Sequence, residues 1–430
     1  MCLIKIGSNN PKLSFVLYKN PTSGMQLRAI RRGFAYGFYT GEHNDNYVIY
    51  FQDGQNDMSY KEYPNQNYEY LNRLRYSSPI FVLNALSEYL NSTLHSQHND
   101  DLDDVFINTI HNYAVNIDNQ TFKTIERINN FFPNFNIQII KKADSTYEIV
   151  IDTKKSIYLL LNFAVTYFTI IATLNDNDLD INDGLIDKLI RCLNTIDADY
   201  YIRYIVNSRI LTNSKLYDKF MPLLKKPNMT LNFGNTAVHR RNYISKMLQF
   251  DRSIIDIGCG EGFYAIPFAK KLLKINPSLY YYGIDINEDE LTIVNKKAKE
   301  NELNNIILEN SHELLEPHLN KNMTYDVIIT EVIEHIDIEQ SMNIIKWVIK
   351  NVNYNKIIIT TPNADFNKYY HLVGQFRHHD HKWELTLDEF NKYISDVLDN
   401  NDKNTITYLQ MGDIVDNISC SSGVLIQKKN

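Results

Sequence analysis

Four residues in the second half of the chain have the types and spacing of metal ligands. An apolar, strand-like run leads into Glu331, and Glu334 and His335 follow at the three- and four-residue spacing that places side chains on one face of a helical turn. His381 follows the next strand and joins them if the two strands are neighbours, as strands joined by one crossover helix usually are. Two carboxylates and two imidazoles suit Mg²⁺ or Mn²⁺ when water or substrate hydroxyls complete the shell. Zinc is disfavoured because no cysteine ligand lies nearby.

The elements that must position these ligands follow an alternating pattern from Ser253 onward. Strand-like runs at 254–257, 280–284, 306–308, 325–329 and 356–361 alternate with helical patterns at 263–273, 288–301 and 338–352. This alternation predicts a mostly parallel sheet covered on both faces, with ligands at the carboxyl ends of its strands. Thr386 and Glu389 predict a capping box that opens another helix, and the runs at 405–408 and 423–427 predict a terminal antiparallel pair.

A glycine-rich turn follows the first strand of this sheet and reads DIGCGEG from Asp256 to Gly262. Its GxGxG spacing differs from the GxGxxG fingerprint that places a pyrophosphate at a helix N-terminus. Asp285 ends the second strand, where a carboxylate can accept hydrogen bonds from a ribose diol, so we predict S-adenosylmethionine as the cofactor. The alternative for both acids is turn capping. The residues expected around the cofactor are Asp256, Gly258, Gly260, Asp285, Ser311 and His312.

Size and composition predict two domains without a large basic surface. The 430 residues exceed one ordinary core, and the net charge of −7 argues against a protein that coats nucleic acid, although not against one that grips a strand end. The four cysteines form no CxxC pair, which favours a reducing, cytoplasmic location. The N-terminus lacks a signal-peptide pattern. The apolar segment from Ile157 to Leu174 favours a buried core helix over a membrane span.

The first half predicts an α+β domain. Runs at 2–6, 13–18, 34–39 and 47–51 indicate strands, and Ser78 with Pro79 predicts a helix start. The basic cluster of Arg28, Arg31 and Arg32 favours a solvated edge over a nucleic-acid contact. Two prolines and two lysines between 222 and 227 mark a boundary. We therefore expect an N-terminal domain at 1–222, a linker at 223–240 and a second domain at 241–430.

Four blocks in the second half, GxGxG, EVIEH, TTPN and RHHDHKWE, together resemble the Hen family, the small-RNA 3′-terminal ribose 2′-O-methyltransferases. The family pattern DHKFEW differs here at Trp383 and Leu385, and the resemblance extends from Leu231 to Ser395. The first half is similar to the N-terminal domain of full-length bacterial members, on blocks that include RLRYSSPIFVLNALSEYL from Arg73. The resemblance implies a Rossmann-like α/β domain of the class I S-adenosylmethionine-dependent methyltransferases, preceded by an α+β N-terminal domain.

The same resemblance implies methyl transfer to the 2′-hydroxyl of the 3′-terminal ribose of RNA. Glu331, Glu334, His335 and His381 are then expected to hold one Mg²⁺ or Mn²⁺ that takes the terminal diol. Further expected contacts are Arg241 and Arg377 with phosphates and Asn363 with the terminal base or ribose. For the two arginines a plain surface role is equally compatible with the sequence. The implied partner is a polynucleotide kinase-phosphatase-ligase of RNA repair, and no membrane is implied.

Two other functions remain compatible with the sequence. A small-molecule O-methyltransferase acting on a catechol-like diol would use the same cofactor and cation, since EVIEH recurs in other methyltransferases. A scaffold that activates a repair ligase through its first half would need no catalysis by the second half, but the intact candidate ligands argue against it.

Overall fold

The chain folds as two compact units in a computed structural model. The structure describes residues 2–30, 33–53, 77–175, 179–372, 374–399 and 403–429. The units are Met1–Leu224 and Lys225–Asn430. Two of the three residues in the predicted basic cluster, Arg31 and Arg32, lie outside the described residues, as do the first four residues of the block that begins at Arg73.

The first unit is built on a seven-stranded antiparallel sheet with the strand order β2-β3-β4-β1-β5-β7-β6. Its strands are β1 (Cys2–Ser8), β2 (Gln26–Ile30), β3 (Gly33–Thr40), β4 (Asn46–Asp53), β5 (Asn108–Asn116), β6 (Asn136–Ala143) and β7 (Thr146–Thr153). Its helices are α1 (Leu13–Val16), α2 (Pro79–Tyr89), α3 (Asn91–His95), α4 (Asn119–Asn129), α5 (Ile157–Leu174), α6 (Asp183–Thr195), α7 (Tyr200–Arg209) and α8 (Ser214–Leu224). The α+β pattern expected for the first half is therefore what the structure has.

The apolar helix α5 lies in the core of the first unit. It is long and apolar enough to cross a membrane by length and composition, yet 78% of it is buried inside the protein. The hydroxyls of its threonines at 166, 169 and 173 are satisfied within the helix, and that of Thr166, for example, donates to the carbonyl of Asn162 at 3.0 Å. Burial against neighbouring helices accounts for its composition, in agreement with the expected core helix.

One short segment predicted as a strand is helical. The run from Leu13 to Tyr18 contains α1, because the side chain of Asn10 accepts a hydrogen bond from the backbone of Lys12 and turns the chain. Leu13 and Val16 are then buried on one side of this turn. The predicted start of α2 is confirmed, since the side chain of Ser78 accepts from the backbone N–H of Ile80.

The second unit has an eight-stranded sheet with the order β11-β10-β9-β12-β13-β15-β14-β8. Its strands are β8 (Met229–Thr230), β9 (Ser253–Ile257), β10 (Tyr281–Ile284), β11 (Ile306–Glu309), β12 (Tyr325–Thr330), β13 (Tyr354–Pro362), β14 (Asn404–Val415) and β15 (Ile418–Lys428). Strands β9 to β13 are parallel, whereas β15, β14 and β8 extend the sheet in antiparallel pairing. The expected terminal pair is present and longer than its sequence pattern indicated. The parallel strands bring their carboxyl ends to one edge of the sheet.

Helices cover both faces of this sheet. They are α9 (Thr236–Met247), α10 (Ala265–Ile275), α11 (Glu288–Glu300), α12 (His312–Leu315), α13 (Ile338–Asn351) and α14 (Leu387–Leu398). Alternate strand residues belong to two core clusters, with Ile255 and Val327 in one and Ile254 and Ile328 in the other. The capping box expected at Thr386 and Glu389 is present at the start of α14.

The segment expected to be a linker, 223–240, carries regular structure that belongs mostly to the second unit. Met229 and Thr230 form β8, which pairs with the end of β14 at the sheet edge. Helix α9 begins at Thr236, and the side chain of Asn235 caps it by accepting from the backbone of Val238. Asparagine and glycine here serve as turn and cap residues, which the sequence pattern alone did not distinguish from a linker.

Candidate active site

Three of the four predicted metal ligands form a cluster. One ligand atom each from Glu334, His335 and His381 lies within 4.8 Å of the others. Glu334 and His335 lie on a 3-10 turn, Ile333–His335, rather than on the expected turn of an α-helix. The chain leaves β12 through Glu331, whose φ of 54° is left-handed, so the strand breaks sharply before this turn. The expected convergence therefore occurs for Glu334, His335 and His381, through a different backbone geometry, and not for Glu331.

The carboxylate of Glu334 is fully buried and only partly hydrogen-bonded. Its Oε2 accepts from the hydroxyl of Thr361 at 3.1 Å, whereas Oε1 has no hydrogen-bond partner among the described residues. Burial raises the pKa of this carboxyl well above its usual range, and the nearby charge of Glu331 raises it further. The site therefore contains a buried acceptor that a cation would satisfy.

The fourth predicted ligand, Glu331, lies outside the cluster and is neutralised by an arginine. Its Oε2 is 3.0 Å from Nη1 of Arg240, and its Oε1 accepts from the hydroxyl of Thr360 at 3.0 Å. Arg240 is 9% exposed and was not among the predicted site residues. The sequence did contain a signal that Arg240 is buried, because Arg240 and the buried Ile244 are four positions apart and so lie on one face of α9.

The two histidines each contact a carboxylate through Nδ1. For His335 the partner is Oδ2 of Asp380 at 3.2 Å, and for His381 it is Oε1 of Glu384 at 2.5 Å. The two rings are nearly perpendicular, with centroids 4.7 Å apart. Each ring therefore has Nε2 as its remaining nitrogen for a ligand.

The glycine loop after β9 contacts the turn that carries the predicted metal ligands. Gly258 has a φ of 74°, and a Cβ atom at this position would lie 2.3 Å from Cγ2 of Val332. The backbone N–H of Gly260 donates to Oδ2 of Asp285 at 2.8 Å, and the N–H of Asn287 donates to Oδ1 at 3.0 Å. Asp285 is thus fixed at the end of β10, beside the loop, as the sequence indicated.

Asp256 differs from its expected role as a cofactor contact. Its side chain is fully buried and accepts a hydrogen bond from the hydroxyl of Tyr281. Burial raises the pKa of Asp256 to about 7, and the Tyr281 hydrogen bond opposes this shift. The carboxylate faces the protein interior, because the strand alternation at the end of β9 directs it between the sheet and a helix.

The two residues expected near an adenine are placed at the start of α12. The hydroxyl of Ser311 caps this short helix by accepting from Leu314 at 3.4 Å. The ring of His312 lies 4.7 Å from that of Trp347. The sequence reasoning missed Ile286, which follows Asp285 and is 85% exposed, the highest exposed fraction among the large apolar side chains described.

Asn363 and Arg377, expected to contact RNA, are bonded within the protein. The side chain of Asn363 donates to the carbonyl of Ser419 and accepts from the backbone of Asp365, both at 3.0 Å. The guanidinium of Arg377 donates through Nε to Asn367, through Nη1 to the carbonyl of Cys420 and through Nη2 to the carbonyl of Asn363. These internal bonds hold the loop in shape, and the RNA contacts expected of both residues stay predictions.

Arg241 is oriented differently from its neighbour Arg240. Its guanidinium lies 4.2 Å from the ring centroid of Phe263, and Nη1 donates to the carbonyl of that residue at 3.2 Å. The side chain is partly exposed, unlike that of Arg240. Arg241 therefore remains compatible with the expected phosphate contact.

Comparison with known proteins agrees with the two-unit organisation. Residues 3–229 match the model of the Hen1 N-terminal domain, and residues 250–412 match that of a methyltransferase domain. The chain is 26% identical over 207 residues to a small RNA 2′-O-methyltransferase of Schizosaccharomyces pombe, which covers 42% of this chain and 54% of the relative. It is 28% identical over 156 residues to the Rattus norvegicus enzyme of the same name, covering 34% of this chain and 38% of the relative. The chain thus spans about half or less of the length of these curated relatives.

A solved structure, that of the Pnkp1/Rnl/Hen1 RNA repair complex, matches the fold of the whole chain. The TM-score is 0.80 at 23% identity, covering 99% of this chain and all of the matched one. The second unit has the class I fold of the S-adenosylmethionine-dependent methyltransferases. Because a single family model covers residues 3–229, more than half of the sequence, the chain belongs to the Hen1 N-terminal domain family.

Proposed function

We propose that this protein transfers a methyl group from S-adenosylmethionine to the 2′-hydroxyl of the 3′-terminal ribose of RNA. The observation that carries the proposal is the contact between the cofactor loop and the turn of metal ligands. Gly258 lies against Val332, which is between Glu331 and Glu334 in the chain. A methyl donor held by the loop and a sugar held at the ligand cluster would then be neighbours, which is the positioning that group transfer requires.

The residues of the cluster fit a divalent cation. The buried Oε1 of Glu334 lacks a hydrogen-bond donor among the described residues, and Nδ1 of both histidines is already paired with a carboxylate. Glu334, His335 and His381 would hold the ion. Glu331 would become a fourth ligand by giving up its ion pair with Arg240 and binding the ion instead. When bound, a divalent cation supplies the Lewis acidity that lowers the pKa of a sugar hydroxyl. The oxygen and nitrogen donors favour Mg²⁺ or Mn²⁺.

Different residues would bind different parts of S-adenosylmethionine. The carboxylate of Asp285, held by two backbone N–H groups, would accept hydrogen bonds from a ribose diol through its remaining lone pairs, and the glycine loop allows close backbone approach. The exposed side chain of Ile286 offers an apolar face for the adenine. Bound there, S-adenosylmethionine supplies an electrophilic sulfonium methyl. Asp256 is buried and bonded to Tyr281 of β10, so we assign it no contact with the cofactor.

The chemistry of the cluster selects a vicinal diol. A free RNA 3′ end has this diol, whereas DNA and a 2′-O-methylated end do not. Arg241 is retained as a phosphate contact because its guanidinium is partly exposed beside Phe263. We expect the protein to work in a reducing compartment such as the cytoplasm, since all four cysteines are buried free thiols.

We also propose that the first unit assembles with a polynucleotide kinase-phosphatase-ligase. The proposal is supported by the family match at residues 3–229 and by the fold match over 99% of the chain to a component of an RNA repair complex. Co-elution of the full chain with such a ligase on size exclusion tests it. Separate elution of the two proteins at micromolar concentration would contradict it.

Methyl transfer is tested with labelled S-adenosylmethionine and synthetic RNAs that end in a 2′,3′-diol, a 2′-deoxy or a 3′-deoxy nucleotide. We expect label only on the diol, loss of transfer with a chelator and restoration by Mg²⁺ or Mn²⁺. Glu334→Gln should abolish transfer. The control Glu389→Gln, which changes an exposed helix-capping residue, should not abolish it. Label on a catechol and none on the RNA would replace the proposal with the small-molecule alternative.

A further inference from the structure

The loop 377–384 is joined to the metal-ligand turn at several points. The backbone N–H of Lys382 donates to the carbonyl of Glu334 at 2.8 Å, and the indole N–H of Trp383 donates to the carbonyl of Ile336 at 2.8 Å. These bonds fix the backbone around His381. They do not determine which nitrogen of the His381 ring carries its proton, so another group must do so.

Glu384 is the group that faces this ring from within the protein. Its side chain is 1% exposed and that of His381 is 3% exposed, with Oε1 and Nδ1 2.5 Å apart. Oε1 also accepts from the backbone N–H of Arg377 at 2.7 Å, and Oε2 accepts from the amide of Asn367 at 2.5 Å. Glu384 therefore accepts three hydrogen bonds from three donors.

We infer that Glu384 is a positioning residue that keeps the proton of His381 on Nδ1 and presents Nε2 to the cation. A carboxylate only accepts, so the ring must donate through Nδ1, which leaves the Nε2 lone pair free. Carboxylate partners of metal-binding histidines act in this way, and their loss commonly weakens metal binding by about 10–100-fold. The inference rests on the cation site of the proposed function and extends it to a residue outside the ligand set.

The isosteric change Glu384→Gln tests this role because no orientation of the amide satisfies all three donors. If the new NH₂ faces Asn367, two donors oppose each other, and rotating the Asn367 amide would only bring its NH₂ against Nε of Arg377. If the NH₂ faces His381, it also opposes the backbone N–H of Arg377, and the ring can pair with it only by moving its proton to Nε2. The first arrangement keeps the proton on Nδ1 but replaces a charged acceptor with a neutral one, which lowers the basicity of Nε2, and the second removes the metal-binding lone pair, so either arrangement weakens cation binding.

A matched control separates ring alignment from general support of the loop. Asn367 bonds both Glu384 and Arg377 but forms no hydrogen bond with His381 among the described residues, so Asn367→Ala loosens the loop and leaves the pair of Glu384 and His381 in place. If Glu384 acted only by anchoring the loop, the two variants would weaken metal binding equally. The inference predicts that Glu384→Gln is the more severe of the two.

The experiment measures Mn²⁺ binding to the full chain by calorimetry, without RNA, for wild type, Glu384→Gln and Asn367→Ala. We expect Glu384→Gln to raise the Mn²⁺ Kd about 10–100-fold while the S-adenosylhomocysteine Kd stays within twofold. Asn367→Ala should change the Mn²⁺ Kd less than threefold. Excess Mn²⁺ should restore kcat of Glu384→Gln toward the wild-type value.

Three results would overturn the inference: an unchanged Mn²⁺ Kd in Glu384→Gln, an equal loss in Asn367→Ala, or a parallel loss of S-adenosylhomocysteine binding. These results differ from failure of the proposed function. If wild type binds Mn²⁺ and Glu384→Gln does not, yet neither methylates RNA, the substrate proposal fails and the role of Glu384 stands. If wild type itself binds no Mn²⁺, the cation site and the role of Glu384 are both overturned.

Discussion

The buried carboxyl of Asp256 predicts how stability of the second unit depends on pH. Burial raises its pKa from the usual 3.8 to about 7. Between these values the folded protein keeps the proton that the unfolded chain releases, so rising pH favours unfolding. The stability contribution of the neutral acid is complete below pH about 4 and is lost by pH about 7, which amounts to roughly 4 kcal/mol at about 1.4 kcal/mol per pKa unit.

The substitution Asp256→Asn should remove this dependence. The amide oxygen can accept from the hydroxyl of Tyr281 as the carboxylate does, and the amide stays neutral at every pH. The difference in free energy of unfolding between the variant and wild type should therefore grow in favour of the variant by about 3 kcal/mol between pH 5 and pH 8. Other titrating groups are common to both proteins and cancel from this difference.

Urea unfolding followed by tryptophan fluorescence measures this quantity in the full chain without cofactor. Both tryptophans, Trp347 and Trp383, belong to the second unit, so their emission reports its unfolding. Tyr281→Phe is a second test, because removing a hydrogen bond that lowers the Asp256 pKa should extend the wild-type pH dependence to higher pH. A free-energy difference between Asp256→Asn and wild type that is constant from pH 5 to pH 8 would refute the reasoning.

Three further changes test the site. Asp380→Asn should raise the Mn²⁺ Kd less than Glu384→Gln does. The reason is that the Asp380 side chain is 54% exposed and its 3.2 Å contact with His335 is open to solvent. The reverse order in calorimetry would contradict this prediction. Gly258→Ala should lower the free energy of unfolding, measured in urea, by about 1–3 kcal/mol, because the new Cβ would clash with Val332 and the backbone φ is 74°. Adding Val332→Ala should recover only the part of this loss that is due to the clash. Ile286→Asp should raise the S-adenosylhomocysteine Kd while unfolding changes by less than about 0.5 kcal/mol, because this side chain is 85% exposed; unaltered binding would exclude the adenine contact.

The sequence predicted the parts of the site that depend on local motifs. Glu334 and His335 are adjacent, and Gly258 and Asp285 each follow a strand directly, so their positions depend only on the strands being parallel. His381 depended on one further assumption, that β12 and β13 are neighbours, and their pairing is parallel in the structure. Motif spacing and sheet geometry were sufficient for these residues.

The sequence failed where the partner is distant in the chain. The sequence reasoning chose Arg241 and not Arg240. Neighbouring positions on a helix point about 100° apart, so Arg241 is partly exposed whereas Arg240 is buried beside Glu331. The partner of Arg240 lies 91 positions away, since 331 − 240 = 91, and no local pattern connects the two. The helix at Leu13–Val16 was missed for a different reason, because a short apolar run fits a strand and a helical turn equally well.

The antiparallel hairpin β14–β15 explains why residues expected to contact RNA are directed inward. The carbonyl of Cys420, on β15, accepts from the backbone of Asn363 at 3.2 Å and from Nη1 of Arg377 at 2.7 Å. A single strand residue thus holds both ends of the segment that leads from β13 to His381. Without that anchor the long loop would pay the conformational entropy of ordering His381 each time a ligand bound. The polar side chains at this edge therefore keep the histidine in place before any ligand arrives.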